Sequence, residues 1–197
     1  MKSNIDSLYW NSKYNNLETG WDLNGPTPFF KKIMHSISQD KTICFPGAGY
    51  GHDPIYFANN GYNVFAIDYA KAAVDHMEKV KNSNLKIINS DFFDLDKKYN
   101  FFFDIVIEYT FFCAIHPRLR SDYFKKLYMI TKDKSEIIGL FLPLESSGKG
   151  PPFKICLNEI EILIKDKFVI KEKYFPIESI EPRRNNEIFL RMVKIEN

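Results

Sequence analysis

The stretch Phe45-Pro46-Gly47-Ala48-Gly49-Tyr50-Gly51-His52-Asp53 constrains the fold more than any other part of the chain. It follows an apolar run over residues 42–45 and precedes another over 64–67, which ends in Asp68. Its glycines let the backbone turn sharply and let a ligand approach without a Cβ in the way. The order is a strand, a glycine turn, a helix, a second strand and an acidic residue. This order predicts a nucleoside-binding site in an α/β fold, with Asp68 accepting hydrogen bonds from the ribose hydroxyls.

The spacing of the glycines favours one class of cofactor. The pattern Gly47-x-Gly49-x-Gly51 is one residue shorter than the G-x-G-x-x-G of dinucleotide enzymes. In those enzymes the later glycine helps to seat a pyrophosphate on the helix N-terminus. The shorter form suits a ligand without phosphate, such as S-adenosylmethionine, and argues against a dinucleotide oxidoreductase. An ordinary glycine-rich turn is the alternative, and the flanking strands with Asp68 weigh against it.

Length and charge limit the function classes. A chain of 197 residues with 45% hydrophobic residues predicts a single domain over 1–197. Lys and Arg total 27 against 25 Asp and Glu, evenly spread, so we expect neither a nucleic-acid nor a membrane partner. No apolar run approaches the ~20 residues of a membrane helix, and no secretory signal is visible. We therefore expect a cytoplasmic protein, by default a monomer.

The three cysteines, Cys44, Cys113 and Cys156, are far apart and form no C-x-x-C pair. This pattern indicates buried thiols in a reducing compartment, and we expect no metal site.

The rest of the chain alternates strand-like and helix-like patterns. Strands are predicted over 85–88, 101–109, 135–142, 168–175 and 187–195, and helices over 28–38, 70–81, 118–131 and 156–164. The last two strands can form an antiparallel edge pair. The predicted fold class is α/β: a Rossmann-like seven-stranded sheet, mostly parallel with an antiparallel C-terminal edge strand, and helices on both faces.

Acidic residues follow several of these strands. Asp68, Asp91 and Glu108 each stand at a predicted carboxyl end, where open α/β sheets bind ligands. We expect them to face one crevice with the glycine loop. A carboxylate at Asp91 can accept from an adenine amino group while Phe92 flanks the base. A plain turn with Phe92 in the core is the alternative.

Two segments have open interpretations. The polar leader carries the only two tryptophans, Trp10 and Trp21, and should fold back as helix then loop. Residues 1–38 then either form a lid over the cofactor or merely anchor the leader. The basic turn 182–186 is expected to be a solvated loop, with the alternative that an arginine, Arg183, reaches the active site.

Several motifs occur in the order typical of one enzyme family. They are Trp10…Trp21-Asp22…Gly25…Pro28, the glycine stretch, Asp68, Asp91-Phe92, residues 108–120 (EYTFFCAIHPRLR) and Gly150-Pro151-Pro152-Phe153. The chain resembles the thiopurine S-methyltransferase family, most closely its halide/thiol methyltransferase branch, over about residues 8–195.

The resemblance implies a seven-stranded methyltransferase that uses S-adenosylmethionine. It implies that Trp10 and Trp21 close over the cofactor and that Gly47 contacts its amino-acid end. The candidate cofactor-binding residues are Trp10, Trp21, Pro46, Gly47, Gly49, Asp68, Tyr69, Asp91, Phe92, Glu108 and Tyr109. The candidate catalytic residues are Tyr109, Phe111, Phe112, Phe153 and Arg183.

Three positions depart from the family pattern. Ala48 stands where members often carry Cys, and Glu108 where they often carry Asp. Lys149 replaces the middle glycine of the loop before Pro151, where an acceptor would enter. The last departure makes the acceptor harder to assign than the cofactor.

The expected reaction is in-line attack by a soft nucleophile, a thiol or a halide, on the sulfonium methyl. Such nucleophiles need no strong base, so positioning and removal of water supply most of the catalysis. The aromatic residues Trp21, Phe29, Phe111, Phe112 and Phe153 are expected to form a dry pocket with cation–π contact to the sulfonium. Small-molecule O- or N-methylation and a catalytically inactive binding module are the alternatives.

Overall fold

The computed structural model describes residues 5–196. The chain forms two compact units, one ending at Leu95 and the other beginning at Asp96. Each unit is described separately below, and the organisation as one domain over 1–197 stays a prediction.

The first unit contains three parallel strands in the order β3-β2-β1. The strands are β1 (Thr42–Pro46), β2 (Asn63–Asp68) and β3 (Leu85–Asn89). The helices are α1 (Ser7–Asn15), α2 (Pro28–Ile33), α3 (His52–Asn59) and α4 (Lys71–Met77). Strand β2 is buried from Val64 to Asp68, as expected for a parallel strand covered on both faces.

Strand pairing places the ends of β1 and β2 side by side. Pro46, the last residue of β1, pairs with Ile67, and Asp68 follows directly at the end of β2. The glycine loop therefore begins beside Asp68, as the sequence predicts.

The second unit contains four strands in the order β4-β5-β7-β6. They are β4 (Phe103–Tyr109), β5 (Thr131–Phe141), β6 (Phe168–Tyr174) and β7 (Ile188–Lys194), and the helices are α5 (Arg120–Ile130) and α6 (Leu157–Ile164). Strands β4 and β5 are parallel, whereas β7 runs antiparallel to both β5 and β6. The predicted antiparallel pair, β6 with β7, is therefore present. The C-terminal strand, β7, lies between β5 and β6, so the outermost strand is β6.

Some helices are shorter than predicted. The α-helix expected over 28–38 ends at Ile33 and continues as a 3-10 turn, Met34–Ser36. The hydroxyl of Tyr62 donates to the carbonyl oxygens of Met34 and Ile37, at 2.7 and 3.1 Å. These bonds satisfy carbonyls that a helix end leaves without partners.

All three cysteines are free thiols. Cys44 and Cys113 are buried, as expected, whereas Cys156 is exposed because it precedes α6 at the surface, which corrects the prediction of three buried thiols.

Over residues 5–196, no helix combines the length and apolarity needed to cross a bilayer. The cytoplasmic location stays a prediction. The same residues contain no group of three or more His, Cys, Asp and Glu side chains arranged to hold a metal ion.

Candidate functional site

The carboxylate of Asp68 is fastened to the glycine loop. The Gly49 N–H donates to Oδ2 of Asp68 and the Ala70 N–H to Oδ1, each at 2.8 Å. Each carboxylate oxygen keeps a further lone pair. The side chain is therefore fixed in one orientation and can still accept two vicinal hydroxyls, as a ribose ligand must.

Burial sets the charge state of Asp68. The residue is 8% exposed, and burial raises the pKa of its carboxyl to about 6, although backbone N–H donors act in the opposite direction. At neutral pH the carboxylate is ionised. A ligand that offers hydroxyl donors to it would relieve part of the cost of burying that charge.

The glycine loop needs its glycines for two separate reasons. Gly49 has a φ of +57°, and a Cβ there would lie 2.9 Å from the hydroxyl oxygen of Tyr14. Gly51 has a φ of +79°, and a Cβ would lie 2.4 Å from Cγ of Met77. Both positions combine a left-handed backbone with close neighbours, so a side chain would distort the loop.

The two tryptophans lie in the segment beside this loop. Trp10 of α1 and Trp21 are half-buried and meet edge to face, with ring centroids 5.3 Å apart. Trp10 and Trp21 pack on the cluster around Tyr14, and the rings of Trp21 and Tyr14 meet edge to face with centroids 5.6 Å apart. An aromatic cluster thus lies next to the glycine loop, where its π-faces suit a sulfonium cation.

Helix α1 is tied to α4. The side chain of Asn11 accepts a 3.0 Å hydrogen bond from the Ala72 N–H and donates to the Ser7 carbonyl at 2.7 Å. The leader therefore folds back as a helix followed by a loop. Its function as a lid stays a prediction.

Two consecutive residues at the start of α3 hold the loop that follows α1. Nε2 of His52 lies 2.9 Å from Oδ1 of Asp22. Asp53 accepts from both the N–H and the hydroxyl of Thr27, each at 2.7 Å. Asp53 is thus a first-turn acid of α3, and it also fixes the start of α2. Burial raises its pKa to about 6, against the effect of these hydrogen bonds.

Asp91 and Phe92 follow β3 in a turn. Oδ1 of Asp91 accepts from the Phe93 N–H at 2.9 Å, and the Phe92 ring is buried with 3% exposed. This arrangement corresponds to the alternative weighed for this pair, a turn with Phe92 in the core. A ring so deeply buried has little surface to offer, and the contact of Phe92 with a base stays a prediction. Asp91 itself is half-buried, and its negative charge contributes to raising the pKa of Tyr69, after burial.

The first unit therefore fits S-adenosylmethionine on three observations. The glycine loop is too tightly packed for side chains at Gly49 and Gly51, Asp68 is oriented for two hydroxyls, and aromatic rings lie beside both. We expect Pro46, Gly47, Gly49, Asp68 and Tyr69 to hold the cofactor there.

In the second unit, Glu108 is a structural carboxylate. Its Oε1 accepts from the N–H groups of Phe111 and Phe112, at 3.1 and 2.8 Å, and its Oε2 accepts from the Tyr123 hydroxyl. The residue is 1% exposed, and burial raises its pKa to about 7. These bonds use the carboxylate to fold the loop after β4, and the cofactor contact of Glu108 stays a prediction.

The next residue, Tyr109, contacts Arg183, the arginine proposed for the active site from the sequence. Nη1 of Arg183 donates to the Tyr109 hydroxyl, and Cζ of Arg183 lies 5.0 Å from the centroid of the Tyr109 ring. The same hydroxyl lies 3.5 Å from Oε2 of Glu187. The turn 182–186 is therefore not simply a solvated loop, since Arg183 reaches the carboxyl end of β4.

The three candidate phenylalanines, Phe111, Phe112 and Phe153, differ in how deeply they are buried. Phe112 is 1% exposed and packs on Tyr123, Phe124 and Phe141, and its place in an acceptor pocket stays a prediction. Phe111 and Phe153 are half-buried and keep surface for a ligand.

Arg120 fastens the loop that carries Phe153. Its guanidinium is 3% exposed, pairs with Glu159 at 2.6 Å and donates to the Lys154 carbonyl at 2.9 Å. The Phe153 N–H donates to the Cys113 carbonyl at 2.8 Å. The Pro-Pro-Phe loop is therefore held against the segment that follows β4.

Sequence reasoning missed Tyr14 and Glu187. Tyr14 lies four residues after Trp10, so helical spacing placed it on the same face of α1. No local signal marks Glu187, because its contact with Tyr109 joins residues 78 positions apart.

Comparisons with known proteins agree with this geometry. The model of the family "Thiopurine S-methyltransferase (TPMT)" matches residues 5–194. "Probable thiol methyltransferase 2" of Arabidopsis thaliana is 30% identical over 159 residues, which cover 77% of this chain and 69% of that protein. "Thiocyanate methyltransferase 1" of Brassica oleracea is 28% identical over 158 residues, with the same coverage of 77% and 69%.

A solved structure shows the fold. The 1,6-didemethyltoxoflavin-N1-methyltransferase of Burkholderia thailandensis, determined with bound 1,6-didemethyltoxoflavin and S-adenosylhomocysteine, superposes with a TM-score of 0.74. The match covers 97% of this chain and 87% of that chain at 15% sequence identity. Identity at this level carries the fold alone, and the predicted Rossmann-like methyltransferase fold is confirmed.

Proposed function

Because the chain belongs to the thiopurine S-methyltransferase family and is an S-adenosylmethionine-dependent methyltransferase, we propose that it methylates a small sulfur nucleophile, a thiol or a related sulfur anion. The observation that carries the proposal is the contact between Arg183 and the Tyr109 hydroxyl. It fixes a positive charge at the carboxyl end of β4, where it would attract an acceptor that reacts as an anion.

The residues of the chain have few chemical steps to perform. When bound, S-adenosylmethionine supplies a methyl group on a cationic sulfur, which leaves as the neutral thioether S-adenosylhomocysteine. The acceptor sulfur gives the electron pair of the new S–C bond, having lost its proton to solvent beforehand. Arg183 would favour this thiolate, and Tyr109, whose hydroxyl accepts from the guanidinium, would hold that positive charge beside the acceptor.

Two aromatic residues would exclude water from the acceptor. Phe111 and Phe153 are half-buried on loops that Glu108 and Arg120 hold in place. A thiolate transferred from water to apolar surroundings becomes more reactive, because its hydration shell is removed. Names of relatives support a sulfur acceptor, since two of them are called thiol and thiocyanate methyltransferases.

An acceptor panel tests the proposal, scored by release of S-adenosylhomocysteine. We expect turnover with sulfide, methanethiol, an aromatic thiol or thiocyanate, and iodide reports on the halide alternative. Turnover with phenols or amines alone would overturn the proposal.

Substitution of the arginine provides a matched comparison. Arg183→Gln should raise the acceptor KM, whereas Arg184→Gln, at the exposed neighbouring arginine, should leave it unchanged. Equal effects of the two substitutions would remove Arg183 from the acceptor side.

A further inference from the structure

We propose that Glu187 is a positioning residue for methyl transfer, which holds the Tyr109 hydroxyl and the Arg183 guanidinium in a single arrangement. The inference rests on the proposed function in one respect: it takes Tyr109 and Arg183 as the groups that meet the acceptor. Glu187 itself is 1% exposed and has no surface with which to touch a substrate.

The sheet determines where the Glu187 side chain lies. Glu187 directly precedes β7, whose first residue, Ile188, pairs with Phe141 of β5. The next residue, Phe189, pairs with both Leu140 of β5 and Tyr174 of β6. A strand paired on both sides is rigid, so Glu187 is a fixed reference point. Arg183, by contrast, ends a 3-10 turn, Glu181–Arg183, and its long side chain needs a partner to stay in place.

Hydrogen bonds with Arg183 and Glu187 fix the orientation of the Tyr109 O–H bond. It accepts from Nη1 of Arg183, so its own proton is directed elsewhere. The Oε2 atom of Glu187, 3.5 Å away, can accept that proton. Arginine, phenol and carboxylate thus form a chain in which each group orients the next.

Charge compensation strengthens this arrangement. Burial raises the pKa of Glu187, whereas the positive charge of Arg183 and the hydrogen bond from Tyr109 act to lower it. A buried carboxylate is costly unless a partner compensates it, and Arg183 supplies the compensating charge. Conversely, without the Glu187 charge, Arg183 would lose part of the attraction that brings it to Tyr109.

The first test is Glu187→Gln, which keeps the shape of the side chain and removes its charge. We expect kcat/KM for the acceptor to fall on the order of tenfold, equivalent to ~1.4 kcal/mol. The Kd of S-adenosylmethionine, measured by calorimetry, should not change. The matched control is Glu181→Gln, an exposed glutamate in the same turn, which should behave as the unsubstituted protein.

A double-mutant cycle separates positioning from general stability. If Glu187 acts through Tyr109, then Glu187→Gln should cost little in a Tyr109→Phe background, because the hydroxyl it orients is already absent. Additive losses would overturn the proposal, as would full activity of Glu187→Gln. If that variant does not fold, Glu187→Asp, which keeps the charge and shortens the reach, is measured in the same cycle.

The acceptor panel tests the proposed function, and the double-mutant cycle tests the assignment of Glu187. The unsubstituted enzyme first identifies its acceptor in the panel, and the cycle is then measured with that acceptor. Failure on every sulfur acceptor contradicts the proposed function. Additive losses with a working acceptor contradict the assignment of Glu187 alone.

Discussion

Oδ1 of Asp22 lies 2.9 Å from Nε2 of His52. This contact joins the residue after Trp21 to the first turn of the helix that follows the glycine loop. The loop of the leader is therefore held by the same element that presents the backbone to a nucleoside. If the leader covers the cofactor, this contact contributes to cofactor affinity.

Asp22→Ala should raise the Kd of S-adenosylmethionine about three- to fivefold. That change corresponds to the ~0.5–1 kcal/mol contributed by a partly exposed contact between two polar side chains. Calorimetry measures it, and Glu18→Ala, an exposed acid of the same segment paired with Lys13, is the control. An unchanged Kd would show that the leader does not cover the cofactor.

Asp68→Asn should weaken binding of S-adenosylmethionine by at least about tenfold, because one hydrogen bond to a charged acceptor contributes ~1.5–3 kcal/mol. Burial raises the pKa of Asp68 to about 6, so the affinity of the unsubstituted protein should also fall as the pH drops through that value. The asparagine variant should lack this pH dependence. Asp75→Asn, at an exposed aspartate of α4, is the control for titrations at each pH.

Glu108→Gln should change how stability depends on pH. Burial raises the pKa of Glu108 to about 7, against ~4.3 for an unfolded glutamate. Protonation therefore favours the folded state: the stabilisation is complete below the unfolded pKa and is lost as the pH rises through about 7. Relative to the unsubstituted protein, the glutamine variant should gain in Tm as the pH rises from about 5 to about 8. Parallel melting profiles across this range would contradict the buried, proton-binding carboxyl.

Gly49→Ala should lower both stability and cofactor affinity. A left-handed conformation costs a residue with a side chain ~1–2 kcal/mol, and the new Cβ would meet the Tyr14 hydroxyl. Gly61→Ala is the matched control, since Gly61 also has a positive φ, +89°, but only an ordinary contact with Gln39. Urea unfolding should show a loss in both variants, and calorimetry a loss of affinity only in Gly49→Ala. Equal affinities would mean that the glycine loop does not contact the cofactor.

The cofactor side of the protein could be predicted from sequence because its signals are local. The glycine loop and Asp68 lie at a fixed spacing that strand pairing turns into proximity, with Pro46 opposite Ile67. The paired tryptophans were visible for a similar reason, since two large apolar rings in a polar leader need a surface to cover.

The acceptor side was less predictable because its contacts are between distant residues. Nothing in the sequence near Glu187 indicates Tyr109, and Arg183 was one of two adjacent arginines in a basic turn. Residue type alone also does not separate neighbours within a motif: Phe111 keeps surface, while Phe112 beside it is buried against Tyr123. Glu108 was assigned to a ligand, yet its partners are backbone N–H groups three and four residues ahead.

The position of the two tryptophans gives the protein an intrinsic optical reporter. Both indoles of the chain belong to the leader, 5.3 Å apart, and both pack on the cluster of Tyr14, Ala70 and Ala73. Tryptophan emission therefore originates in this segment. Its spectrum and polarisation follow this segment alone, so stopped-flow mixing can time the segment's response to a ligand without any attached dye.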